Sequence, residues 1–247
     1  MHLLHNLHVL EPFDPFTSPT KRWFNFLTDG SLKSDAVMAL TNRQREDIIK
    51  RYGLTNVVTL PHSLSNINRV ERPLDPMKVI LVGRLTGQKN PDRALDVFKR
   101  VLQKVPQAHL HFYGEGPLAA HLQQRINDEG LSNSVVLEGF SRDMPSVFAS
   151  AALLLLTSNY EGAPLVIQES LCYGCPVVAL DCTYGPADMI EDGVNGYLVP
   201  FADVELMADR IVRLLTDDEL RKTFSDNCAR SLEKFAPEVV ARQIGRA

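Results

Sequence analysis

Four side chains in this 247-residue sequence are of types that do chemistry when they meet: Arg84, Lys89, Glu161 and Glu169. Arg84 and Lys89 sit in the run Val82-Gly83-Arg84-Leu85-Thr86-Gly87-Gln88-Lys89-Asn90-Pro91, which passes from an apolar strand into a helix start. A helix start offers free N–H groups and the positive end of its dipole, a guanidinium forks onto phosphate oxygens, and an ammonium adds a point charge. Together they outline an anion site that a diphosphate would satisfy, although two solvated loop charges would look the same. Glu161 and Glu169 have seven residues between them and flank the run Gly162-Ala163-Pro164. Two carboxylates are also what a glycosidase uses as acid and nucleophile, but the neighbouring loops here suit a nucleotide better than a polysaccharide.

Two further loops hold weaker signals. Phe112-Tyr113-Gly114-Glu115-Gly116-Pro117 carries glycines that let a ligand approach the backbone, without the third glycine of a dinucleotide fingerprint. In Glu138-Gly139-Phe140, exposed backbone at Gly139 would pair with a base edge and Phe140 would supply an apolar wall, with plain core packing of Phe140 as the equal alternative. Cys172 and Cys175 form a C-x-x-C pair, but no second pair or nearby histidine completes four zinc ligands. They read as small buried hydrophobes at the end of a helix and the start of a strand.

From Lys78 onward, short apolar runs alternate with amphipathic segments, which calls for a parallel sheet covered by helices. Strands are expected at 78–83, 108–113, 134–138, 152–157, 176–180 and 196–199, and helices from Pro91 and at 117–129, 144–149, 164–173, 203–216 and 217–233. This is an α/β, Rossmann-like, doubly wound domain, whose loops at the carboxyl ends of the strands should bind the ligand. The first 77 residues differ. A helix at 44–52 and a strand at 56–60 are expected there without a sheet of their own, and Glu71 to Met77, with Pro73 and Pro76, has the composition of a linker. Residues 1–72, 73–235 and 236–247 are therefore set apart as a small first unit with its linker, a large unit, and the start of a terminal helix.

The net charge is -4 and no basic stripe is interleaved with aromatics, which speaks against a nucleic-acid partner. The longest uncharged apolar stretch, 150–159, falls short of the roughly 20 residues a bilayer span needs. Met1 to Leu10 lacks the basic start and cleavage site of a signal peptide, so a cytoplasmic location is expected.

Glu161 to Glu169 resembles the E-x7-E motif of retaining family 4 glycosyltransferases of the GT-B type, and it follows the V-G-R-L and K-N-P elements of that family in order over about 170 residues. The resemblance implies one complete donor-binding domain plus part of a second. It also implies a hexosyl transfer from a nucleotide sugar, UDP-glucose or UDP-N-acetylglucosamine, to an acceptor hydroxyl. Glu169 would accept hydrogen bonds from the vicinal ribose hydroxyls, and Glu161 would face the hydroxyls of the transferred sugar. Gly162, Ala163 and Pro164 would leave room for that sugar and free the N–H groups of Leu165 and Val166. Arg84 and Lys89 would stabilise charge growing on the diphosphate, so that no metal and no resident cofactor is required.

The first segment also resembles this family. Leu40-Thr41-Asn42-Arg43-Gln44 and Leu60-Pro61-His62-Ser63 match its last helix and strand before the large domain, so Thr41 and Pro61-His62 would line the cleft between units, with helix capping by Thr41 the alternative. His5-Asn6-Leu7-His8 is similar to an H-N-x-H stretch of relatives that glucosylate wall teichoic acids, which makes His8, then His5, the histidine facing the donor and a polyol-phosphate polymer the expected acceptor. The family's glycine-rich loop near the N-terminus is missing, so a truncated chain with weak or no transfer of its own is expected. Peripheral membrane association would come through the missing domain, at the inner face of the membrane. The competing class is a nucleotide-sugar-binding module acting through a partner. A nicotinamide-dependent oxidoreductase lacks its fingerprint here.

Overall fold

The computed structural model describes residues 2–3, 36–64 and 73–244. Two parallel sheets organise them. The small one pairs β1 (His2–Leu3), β2 (Val37–Ala39) and β3 (Val57–Thr59), with helix α1 (Asn42–Tyr52) packed on it. Its core is Val37, Ala39, Ile48, Leu54 and Val57. Thr41 caps α1 by accepting the Gln44 N–H, and Gly53, at φ 66°, ends it in the left-handed conformation that glycine adopts without a Cβ clash. A three-stranded sheet was not expected in this segment, because strands of two and three residues are too short to show a period.

The large sheet has six parallel strands, β4 (Asp75–Val82), β5 (His109–Tyr113), β6 (Val135–Gly139), β7 (Ala151–Leu156), β8 (Val177–Leu180) and β9 (Gly196–Val199), in the order β6-β5-β4-β7-β8-β9. The chain runs outward from β4 to β6 and then crosses back to β7, so the order reverses between β4 and β7, and a crevice opens there beyond the carboxyl ends of the strands. Every residue of β7 is buried, as a central strand covered on both faces requires. One face is covered by α2 (Pro91–Lys104), α3 (Ala119–Asp128) and α7 (Val204–Thr216), through Leu95, Phe98, Val101, Leu122, Met207 and Leu214. The other face is covered by α4 (Met144–Ser150), α5 (Leu165–Cys172) and α6 (Pro186–Met189), followed by α8 (Asp218–Ser231), through Phe148, Ile167, Leu171, Met189 and Cys228. Each such fully buried side chain contributes roughly 1.5–3 kcal/mol against exposure.

Local chemistry sets the helix starts. Asn90 stands at φ 47° and accepts the Arg93 N–H ahead of Pro91, and Asp143, Asp203 and Asp217 cap α4, α7 and α8 in the same manner. The expected strands and helices all appear, with ends shifted by up to three residues. One boundary needs correction: the linker composition of 71–77 extends too far, because β4 already begins at Asp75. Pro76 is tolerated at the strand's beginning, where the pairing with β7 shifts register between Asp75 and Val79. Beyond α8 the chain forms a 3-10 turn, Glu233–Phe235, and helix α9 (Pro237–Ile244). The Phe235 carbonyl accepts the Leu64 N–H, which ties this end to the segment leading into β4.

Candidate active site

The crevice at the reversal point is where the sequence-singled residues meet. Lys89, from the β4–α2 loop, places its Nζ 2.6 Å from Oε1 of Glu161, from the β7–α5 loop. The same oxygen accepts the Ser158 hydroxyl at 2.6 Å. Glu161 is buried and Ser158 is fully buried, so this carboxylate has exchanged bulk water for one cation and one hydroxyl. Its backbone is held as well, the Glu161 N–H donating to the Thr183 carbonyl in the β8–α6 loop at 3.0 Å.

The two loops that carry the pair are laced together along their length. The Thr157 hydroxyl lies 3.1 Å from the carbonyls of both Lys89 and Asn90. Asn159 accepts from Asn90 Nδ2 and donates to the Gly87 carbonyl, while Gln88 Nε2 donates to the Tyr160 carbonyl. Arg93, one turn into α2, donates to the Thr157 carbonyl and to Asn159 Oδ1, and its guanidinium lies over the Phe201 ring. Such a network fixes Lys89 and Glu161 relative to each other before any ligand arrives, which is what electrostatic preorganisation demands.

Glycines shape the floor. A Cβ on Gly114 (φ 137°) would stand 2.1 Å from the Gly83 carbonyl oxygen, and one on Gly83 (φ 149°) would press on the Lys89 side chain at 3.1 Å. The ends of β4 and β5 therefore approach as only glycine permits. Gly139, at φ 70°, accepts the Gly114 N–H at 2.7 Å on its carbonyl, which ties the end of β6 to the loop after β5 and leaves that oxygen a second lone pair. Phe140 is 71% exposed, which removes the core-packing alternative and leaves an apolar ring standing beside the crevice.

Helix α5 begins without a side-chain cap, its Ncap being Pro164, which leaves the N–H groups of Leu165 and Val166 in the uncapped first turn. Pro164 and Gly162 are buried and Ala163 is half-buried. Gly185 (φ 92°) lies so close that a Cβ would stand 2.2 Å from Pro164 Cδ. Glu169 is exposed one turn further along, and the surrounding protein strips enough water from its carboxyl to raise its pKa. Arg84 is exposed, with no ion-pair partner for its side chain among the described residues.

The structure thus gathers Gly83, Arg84, Lys89, Gly114, Gly139, Phe140, Glu161, the 162–166 segment and Glu169 at one end of the sheet. Thr41 is buried and caps α1, so the capping alternative holds for it. His62 is half-buried, and its carbonyl takes a long hydrogen bond, 3.4 Å, from Gln168 Nε2. His5 and His8 lie outside the described residues. The four cysteines are buried free thiols, and burial pushes those of Cys172, Cys175 and Cys182 up to about 12. Asn195, in the turn before β9, is fully buried and staples that turn by accepting the Glu191 N–H and donating to the Met189 carbonyl.

Sequence reading missed Thr157, Ser158 and Arg93, and it missed the way the first unit docks onto the site. Arg43 forms a bidentate pair with Asp181 (2.6 and 3.1 Å), Asp188 Oδ1 accepts the Asn42 N–H, and the Tyr184 hydroxyl donates to Asp47. A cavity of about 280 Å³ lies in this junction, lined by Arg43, Glu46, Asp47, Asp181, Thr183 and Tyr184 among others.

A six-stranded parallel sheet in this order, with Lys89 and Glu161 meeting at its reversal point, is a Rossmann-like domain of the GT-B architecture. The chain belongs to the family described as glycosyl transferases group 1, whose model matches residues 63–231. It is 32% identical over 213 residues to the poly(glycerol-phosphate) alpha-glucosyltransferase of Bacillus subtilis (strain 168), a match covering 82% of this chain and 31% of that protein. It is 30% identical to the poly(ribitol-phosphate) alpha-N-acetylglucosaminyltransferase of Staphylococcus aureus (strain COL), over 93% of this chain and 47% of that protein. Among solved structures, a mutant of S. aureus TarM in complex with fondaparinux, alpha-GlcNAc-glycerol and UDP superposes with a TM-score of 0.89 at 29% identity, covering 99% of this chain and 49% of that one. The chain spans less than half the length of these curated relatives. Among the described residues no helix is long and apolar enough to cross a membrane.

Proposed function

We propose that this chain forms the donor side of a retaining hexosyltransferase that takes a nucleoside diphosphate sugar, UDP-glucose or UDP-N-acetylglucosamine, and passes its sugar to a hydroxyl of a polyol-phosphate polymer. The observation that carries the reading is the Lys89–Glu161 pair at the reversal point of the sheet, with the uncapped start of α5 beside it. Arg84 and Lys89 face the diphosphate, Glu169 accepts the ribose hydroxyls, Phe140 walls the base, and Glu161 receives hydroxyls of the sugar. The uridine and polyol-phosphate parts draw support from the names of the relatives and from the UDP bound in the TarM complex.

In the reaction, the bond from the anomeric carbon to the diphosphate oxygen breaks and the acceptor oxygen bonds to that carbon. The acceptor proton leaves with the nucleoside diphosphate. Negative charge grows on the leaving group while the sugar becomes oxocarbenium-like. Fixed cations at the diphosphate lower the energy of that state without a metal ion. Acceptor positioning and closure belong to the other side of the cleft, where His8 is the proposed histidine, and they supply much of the rate in two-domain enzymes.

Calorimetric titration with UDP, UDP-glucose and UDP-N-acetylglucosamine in the presence of EDTA, on the wild type and on Lys89→Ala and Glu169→Ala, tests the reading. Binding that both variants lose supports it. If the wild type binds no nucleotide, the donor role fails.

A further inference from the structure

We infer that Gln44, contributed by the small unit, is a positioning residue for the sugar-facing loop of the large unit; this rests on the donor-site reading above. Gln44 is buried at 3% exposure although it stands on α1, whose neighbouring residues Arg43 and Arg45 are exposed. Both ends of its amide are used. Oε1 accepts the Leu40 N–H at 2.9 Å, within its own unit, and Nε2 donates to the Gly162 carbonyl at 3.2 Å, 118 residues away. Gly162 follows Glu161 directly, so the small unit grips the peptide that joins the sugar-facing carboxylate to the uncapped start of α5.

The grip is oriented from outside. The bidentate Arg43–Asp181 pair, the Asn42 N–H on Asp188 and the Tyr184 hydroxyl on Asp47 seat the first turns of α1 against the β8–α6 loop. The Thr183 carbonyl of that loop accepts the Glu161 N–H. Two backbone groups of this segment are therefore held from beside it: the Glu161 N–H by Thr183, whose own loop is docked to α1, and the Gly162 carbonyl by Gln44. The cross-unit hydrogen bonds of α1 described above go to Gly162, to the β8–α6 loop and to α6. Its hold on the proposed site enters through the Glu161–Gly162 backbone, whereas the loop that carries Arg84 and Lys89 is laced to Thr157 and Asn159 of the large unit.

Gln44→Glu, assayed at a pH where its carboxyl is ionised, isolates the cross-unit bond, because a carboxylate still accepts the Leu40 N–H but has no donor for the Gly162 carbonyl. Affinities for UDP and UDP-glucose are measured by calorimetry on wild type, Gln44→Glu and Gln44→Met. The expected result is UDP affinity unchanged, and a ratio of UDP-glucose to UDP affinity lowered roughly three- to tenfold, the worth of one hydrogen bond. An unchanged ratio overturns the inference, and so does an equal loss for both ligands, which would make Gln44 a structural residue only. If Gln44→Glu does not fold, Asp181→Ala unseats α1 from the large unit and must lower the same ratio. Failure of the wild type to bind UDP at all would instead strike the donor-site reading.

Discussion

The Lys89–Glu161 pair does two things at once, and a mutant cycle separates them. The Glu161 side chain is 6% exposed and that of Lys89 is 18% exposed. Removing one partner from a buried pair costs about 3–5 kcal/mol, because the survivor is left as an uncompensated charge. Two features lower that here: Ser158 still donates to Glu161, and the partial exposure of Lys89 admits solvent screening. Lys89→Met should therefore destabilise the protein by roughly 2–3 kcal/mol, read as a fall in Tm of roughly 5–10 °C for a chain of this size. Glu161→Gln should cost a similar amount by stranding the ammonium, less what Lys89 recovers by turning to water. The double variant replaces an ion pair with neutral groups of like volume and should lie within about 1 kcal/mol of the wild type.

Ligand binding should not recover in the same way. Loss of the ammonium removes a charge-assisted hydrogen bond to the diphosphate, worth about 1.5–3 kcal/mol, or roughly ten- to a hundredfold in affinity for UDP. The double variant should remain as weak as Lys89→Met alone. Thermal unfolding and calorimetry on the four proteins supply both readouts. Single variants whose destabilisations are small and simply add, with a coupling below about 0.5 kcal/mol, would refute the reasoning that the pair is a desolvated unit.

Three further outcomes are expected. Burial raises the Glu169 carboxyl above its ordinary 4.5; since the ribose hydroxyls require the ionised form, protons compete early. UDP-glucose affinity should fall as pH drops through a midpoint above 4.5, and Glu169→Gln should show weak, pH-independent binding. Gly114→Ala forces a Cβ to 2.1 Å from the Gly83 oxygen at φ 137° and should cost roughly 3 kcal/mol, whereas Gly130→Ala, at φ 68° with open space around it, should cost roughly 1 kcal/mol. Denaturant unfolding that ranks the two equally would contradict the close approach of β4 and β5. Phe140→Ala should leave Tm within about 1 °C because the ring is 71% exposed, yet weaken UDP binding roughly threefold, and an unchanged affinity would remove Phe140 from the base subsite.

How far the sequence discloses such a site depends on the range over which each residue acts. Strand β7 was legible because its burial on both faces writes an unbroken apolar run, 151–156. The start of α2 was legible because Asn90 and Pro91 act within one turn. The lacing residues were not, since Thr157, Asn159 and Arg93 find partners 64 to 72 positions away, and a hydroxyl or a guanidinium reads the same whether solvated or tied. Asp75 to Met77 misled for the opposite reason: a local signal, proline, was overridden by pairing with a distant strand.

Most of the residues proposed to bind the donor lie between Arg84 and Glu169, and the supports of that stretch divide into two kinds. Lys89, Gly83 and Gly114 are held by the β4, β5 and β7 loops of one sheet, so the diphosphate end can be preorganised by the large unit alone. Glu161 is different, because the groups that hold its backbone run through Thr183 and Gly162 to a docking surface on α1. A change in how the two units sit would reach the sugar before it reached the phosphates. On the proposed donor-site reading that order has a chemical use: the nucleotide would be held by the large unit's cations, while the loop carrying Glu161 would gain its further hold from Gln44 when the small unit is docked. Transfer to water through an open cleft would thereby be disfavoured while the nucleotide itself stays bound.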